Sequence, residues 1–254
     1  MDAASEIRIV DDAPALAEAA AREVLAIALA AVADHGRFTV ALAGGATPRV
    51  TYERLAAPPL RDRMPWRDTL VFFGDERGVP PDHADSNYGM AHRALLSRVP
   101  IAGERVFRIP GEGEDPEAVA AQYARTLADV LGVRRGEVPR LDLVLLGLGV
   151  DGHTASLFPG SPVLKETFRT VAAVHSTAAI IPQRFTLTYP VLNAAACVIY
   201  LVAGAEKAKV VKAALADPTS GLPAAMVRPT QGRLVWIVDR AAASLLPSSP
   251  GRTS

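Results

Sequence analysis

The chain has 254 residues, half of them hydrophobic, which is enough for a substantial buried core and one or two domains. Lys and Arg together number 27, as do Asp and Glu, so the formal charge is zero and bulk attraction to nucleic acid or acidic membranes is excluded. The start, MDAASEIRIVDD, lacks the features of a secretory signal, and no apolar run reaches the ~18 residues of a membrane span, so a cytoplasmic protein is expected.

Short β-like runs alternate with helical patterns from end to end, which predicts an α/β fold with a mainly parallel sheet. Candidate strands cover 6–10, 38–43, 69–74, 105–109, 141–147, 170–175, 185–188, 198–203 and 234–238. The first long helix is expected from about 14 to 33, with Pro14 in its first turn, and another from about 115 to 131, stopped by Gly132. No repeat or Gly/Ser linker divides the chain. Residues 1–246 therefore read as one domain and 247–254, PSSPGRTS, as a disordered tail. Cys197, the lone cysteine, lies in an apolar run and reads as a core residue.

The chemistry gathers at predicted strand ends, where open parallel sheets bind ligands. After FTVALA come Gly44, Gly45, Ala46, Thr47 and Pro48, then a helical pattern. The glycines permit a tight turn, Thr47 is suited to cap the helix and Pro48 fits its first position, so the segment reads either as an anion site made by free N–H groups or as a strand-to-helix turn without a ligand. No Gly-Lys-Ser/Thr follows, which excludes a P-loop.

The strand TLVFF ends in Gly74, Asp75, Glu76 and Arg77. Acids and an arginine at that position are read as functional. Ser86 or Asn87 then caps the next helix, which brings Tyr88 towards the same mouth.

The run 141–160, LDLVLLGLGVDGHTASLFPG, matches a buried strand followed by Gly147-x-Gly149-x-x-Gly152. This spacing imitates a dinucleotide fingerprint. However, Pro159 and Pro162 interrupt the helix that should follow, and VAAVHS has no acid at its end for a ribose. His153 beside Asp151 reads instead as a general base with its carboxylate. His35, His83, His92 and His175 are read as structural or solvated, and no HExxH or Cys/His cluster suggests a metal. Arg184 and Lys207 flank further strand ends, as phosphate-binding cations do.

In matching order, ALAGGATP, FFGDERGVP with SNYGMA, LGLGVDGHTASLFPG, PQRFTLT and VAGAEKAKV resemble the 6-phosphogluconolactonase family, within the group that includes glucosamine-6-phosphate deaminase. The resemblance implies a modified Rossmann-like fold with helices on both faces of the sheet. It also implies cofactor-free hydrolysis of 6-phospho-D-glucono-1,5-lactone in the oxidative pentose phosphate pathway. His153 would activate water with Asp151 beside it, and Gly44, Gly45 and Thr47 would hold substrate. Arg77, Arg184 and Lys207 would face the phosphate or the sugar acid, while Asp75 matches the deaminase proton-transfer aspartate.

Two departures from the family pattern bear on these assignments. Deaminases carry an acid where this chain has Phe158 before Pro159, which favours the lactonase over the deaminase. Ala43 and Ala46 replace serines of the SGGSTP loop, so two hydroxyls are lost but no backbone donor. A sugar-phosphate sensor is the third alternative, and the segment before Phe38 has no room for a DNA-binding helix-turn-helix. The expected partner is a small phosphorylated sugar lactone, with no nucleic acid or membrane, and the expected state is a monomer.

Overall fold

Apolar runs covered on both faces build the centre of the molecule, and a short second ladder hangs from their carboxyl ends. The computed structural model describes residues 5–134, 136–177, 179–216 and 220–247. In chain order the strands and α-helices are β1 (Glu6–Val10), α1 (Ala13–His35), β2 (Phe38–Leu42), α2 (Ala46–Leu55), α3 (Leu60–Arg63), β3 (Thr69–Phe73), β4 (Asp75–Arg77), α4 (Asn87–Ala94), α5 (Pro116–Leu131), β5 (Leu143–Leu146), β6 (Val171–His175), β7 (Gln183–Leu187), α6 (Tyr189–Ala194), β8 (Cys197–Val202), α7 (Ala208–Ala216) and β9 (Arg233–Asp239).

The larger sheet is parallel, in the order β1-β9-β8-β5-β2-β3. Every residue of β2, β5 and β8 is buried, as a parallel sheet covered on both faces requires. Strand order reverses between β2 and β5, so the connections leaving their carboxyl ends diverge and open a crevice there. At the opposite end, Asp142 fastens the two strands: its carboxylate accepts from Thr39 N at 2.8 Å and Thr39 Oγ1 at 2.7 Å, and lies 3.0 Å from His35 Nε2.

The smaller sheet is antiparallel, in the order β4-β7-β6. Gly74 joins it to the larger one. Its N–H donates to Leu42 O at 2.9 Å, and its carbonyl accepts from Leu187 N at 2.8 Å, so one residue is bonded to both sheets.

Helix ends follow their capping chemistry. Asp12 accepts from Ala15 N at the start of α1, and Gly36, with φ 78°, ends it two residues beyond the expected stop. Asp115 caps α5, and Gly132 closes it with φ 69°. Cys197 is buried, and burial pushes its thiol up to about 11.

The expected strand at 105–109 does not form. That segment makes a single bridge, Val106 to Val71, and is held instead by Phe107 stacked on Phe72 at 5.0 Å, so packing rather than a ladder fixes it along the edge of β3. Beyond Pro247, the tail expected over 247–254 lies outside the described residues.

Leu145, 1% exposed on β5, tests the central packing. Leu145→Ala is expected to cost about 3 kcal/mol and lower the melting temperature by about 6–12 °C, read by calorimetry.

Candidate active site

A cleft of about 370 Å³ opens over the β2/β5 crevice, and Gly44, Gly45, Thr47, Asp75, Arg77, His153, Arg184 and Lys207 all line it. Asp151 does not line it and reaches it through His153.

The first wall is the start of α2. Gly45 takes φ 102°, a region open to glycine, and serves as the N-cap without any side-chain hydrogen bond. Thr47 therefore does not cap the helix as expected: the turn at Gly45 starts α2 at Ala46, which places Thr47 within the first turn. The leading N–H groups have no side-chain partner and remain for an anion. The loop is fixed from below by the buried Tyr52 hydroxyl, which accepts from Ala43 N and donates to Ala43 O, both at 2.8 Å.

The second wall is the antiparallel ladder. Asp75 pairs with Thr186 and Arg77 with Arg184, so period-two alternation puts these four side chains on one face. Arg77 and Arg184 stand directly opposite, an unfavourable like-charge pair unless an anion lies between them. Arg77 donates to the Asp85 carbonyl through Nη1, while its Nε is buried and has no partner among the described residues. Arg184 Nε donates to Ile181 O at 2.7 Å, and burial, with the charge of Arg77, lowers its pKa.

Glu76 alternates to the opposite face and so leaves the cleft, although it emerges from the same strand end. It accepts from Asn87 N at 2.7 Å, Tyr88 N and Arg77 N at 2.8 Å, and Ser86 Oγ at 3.1 Å, which anchors the start of α4. Burial pushes its carboxyl above the usual range against those backbone donors. Ser86 caps α4, as expected, by accepting from Gly89 N. Tyr88, however, does not reach the cleft: it packs edge-on against Phe73, with Arg108 over its ring, while Asn87 lines the cleft.

The third wall follows β5. Gly149 N donates to His153 O at 2.8 Å, which folds the loop back on itself. His153 Nδ1 lies 2.6 Å from Asp151 Oδ1, which also accepts from His153 N at 3.2 Å. Nε2 is left without a protein partner among the described residues. Burial alone would raise the Asp151 carboxyl, but the His153 N–H and imidazole outweigh it and hold it below the usual range. The imidazole rests on Phe158, with ring centroids 4.9 Å apart, and the Arg184 guanidinium lies 6.0 Å from the same ring. Ala155, next to the cleft, takes φ 48°, a conformation costly for alanine.

The last wall follows β8, where Lys207 Nζ donates to Leu148 O at 2.8 Å and so ties this end to the His153 loop. Asn87, Ser156 and Glu206 are the polar side chains at or under the cleft that were absent from the sequence-based set. Asn87 sits beside the capping serine, and Ser156 lies inside the DGHTAS run, but neither carries a local signal of its own. Among the described residues, no three His, Cys, Asp or Glu side chains converge as metal ligands, and no helix is long and apolar enough to cross a membrane.

The sequence and the fold are both similar to those of known proteins. The model of the glucosamine-6-phosphate isomerases/6-phosphogluconolactonase family matches residues 11–236, and the chain belongs to that family. A 6-phosphogluconolactonase of Nostoc sp. is 42% identical over 218 residues, covering 85% of this chain and 88% of that one. The Rattus norvegicus 6-phosphogluconolactonase is 45% identical over 219 residues, 84% of this chain and 82% of the other. A solved 6-phosphogluconolactonase from Trypanosoma cruzi superposes with a TM-score of 0.85 at 32% identity, over 98% of this chain and 99% of that one.

A Cβ on Gly149 would overlap both His153 Nδ1 and Asp151 Oδ1. Gly149→Ala is expected to break their 2.6 Å hydrogen bond, visible in a crystal structure of the variant, while the parallel sheet stays intact.

Proposed function

We propose that this protein hydrolyses 6-phospho-D-glucono-1,5-lactone to 6-phosphogluconate, the activity borne by the names of its relatives. The observation that carries the reading is the His153–Asp151 pair, with Nε2 unengaged, on a cleft that also holds Arg77, Arg184, Lys207 and the start of α2. Such a cleft suits a substrate with a phosphate at one end and an electrophilic carbonyl at the other.

His153 Nε2 takes a proton from water as the oxygen attacks the lactone carbonyl, and Asp151 stabilises the imidazolium that forms. The tetrahedral intermediate then collapses, the bond from carbon to the ring oxygen breaks, and the imidazolium returns its proton to that oxygen. One histidine serves as base and then as acid. Water is the only co-reactant, and the chemistry calls for no cofactor.

The phosphate meets the α2 N–H groups, with Gly44, Gly45 and Thr47 around it, and Arg77, Arg184 and Lys207 supply positive charge. Asp75 belongs to the same site. Phe158 packs on the imidazole where a deaminase would carry its ring-opening carboxylate, which favours lactone hydrolysis over release of ammonia. The proposal extends to residues 1–246 as one catalytic unit and to a monomer acting in the cytoplasm, where a water-soluble anionic substrate is at hand.

His153→Ala is expected to lower kcat by about 10²- to 10⁴-fold with the fold intact. Asp151→Asn should fall between that variant and the unaltered protein. The assay subtracts spontaneous lactone hydrolysis, and an unchanged rate in His153→Ala would remove the proposed base.

A further inference from the structure

Asp75 takes no part in the proton transfers above, yet it lines the cleft at 6% exposure. A carboxylate buried to that degree needs donors. Ser156 Oγ donates to Oδ2 at 2.8 Å, while Asn87 Nδ2 donates to Oδ1 at 3.1 Å and to the Asp75 main-chain carbonyl at 2.9 Å. One donor on each oxygen leaves further lone pairs to accept from a ligand.

The donors are themselves fixed. Ser156 is wholly buried, and its N–H donates at 3.2 Å to Thr186 Oγ1, whose hydroxyl donates on to Leu187 O at 2.9 Å. Asn87, 2% exposed, donates its own N–H to Glu76, and its amide packs so close to Gly44 that no Cβ fits there. Two side chains, one at the start of α4 and one in the loop after β5, therefore hold one carboxylate still.

Its position gives that arrangement a use. Asp75 shares a ladder face with Arg77, two residues or about 7 Å along β4. On its other side it bonds to Ser156, which follows His153 by three positions in the same loop. Asp75 thus lies between the arginine pair and the His153 loop, beneath the middle of a sugar that spans them.

We propose that Asn87 and Ser156 are positioning residues that hold Asp75 as a fixed acceptor for the hydroxyl on carbon 3, at the middle of the sugar, and that they thereby set substrate preference. This rests on the lactonase reading. A site built to accept a hydroxyl rejects an analogue without it, because a lone pair of the buried carboxylate then loses its third donor.

The test compares the 6-phosphorylated 1,5-lactone with its analogue lacking the hydroxyl at carbon 3, using the unaltered protein, Ser156→Ala and Asn87→Ala. The unaltered protein should prefer the full lactone by about 10- to 100-fold in kcat/KM. Each variant should compress that preference to within about threefold. Because both substrates meet the same sample, any unfolded fraction cancels from the ratio. Equal loss on both substrates, or no preference in the unaltered protein, overturns the proposal. If the unaltered protein accelerates hydrolysis of neither lactone, the lactonase reading itself fails, and the positioning role falls with it.

Discussion

The site depends on one residue, Gly74, bonded to two sheets at once. Its N–H belongs to the edge of the parallel sheet through Leu42, and its carbonyl belongs to the antiparallel ladder through Leu187. The chain thereby passes from β3 into β4 without a loop, and the direction of the ladder is set by that of the larger sheet. Arg77 and Arg184 consequently face the same crevice as the ends of β2, β5 and β8. Were this junction flexible, the cations and the histidine would have no fixed relation.

The cleft is also a place where the fold accepts cost. Two guanidiniums oppose each other across a ladder, one buried Nε lacks a partner, and Ala155 holds a positive φ. Such a backbone conformation costs about 1–3 kcal/mol. An anion drawn between the guanidiniums relieves the first two terms, so the cleft is arranged to favour an anion. The carboxylates are placed with equal economy: Asp151 serves His153, Asp75 is held by Ser156 and Asn87, and Glu76 anchors a helix from the far face.

The buried strands were legible because a parallel sheet covered on both faces demands continuous apolar runs, and LDLVLL or CVIYLV permits little else. Segment 105–109 has the same local preference but lies where only one bridge is available, so tertiary position overrode it. Asp75–Arg77 is too short a strand to carry a pattern. His153 and Asp151 could be paired from sequence because they are two residues apart. The facing of Arg77 and Arg184 depends on a register between distant segments, and the clamp of Ser156 and Asn87 on Asp75 depends on three segments apart in sequence. The motif order supplied most of the charged side chains that line the cleft, while their geometry required the fold.

The account stands on the claim that the His153–Asp151 pair delivers water to a lactone carbonyl. The most direct measurement offers the purified protein the 6-phosphorylated lactone and glucosamine 6-phosphate side by side, following acid release from the first and ammonia from the second. The account predicts hydrolysis of the lactone well above its spontaneous rate and no ammonia. Ammonia from glucosamine 6-phosphate without accelerated lactone hydrolysis would contradict it, and binding of either compound without turnover would contradict it in favour of a sensor.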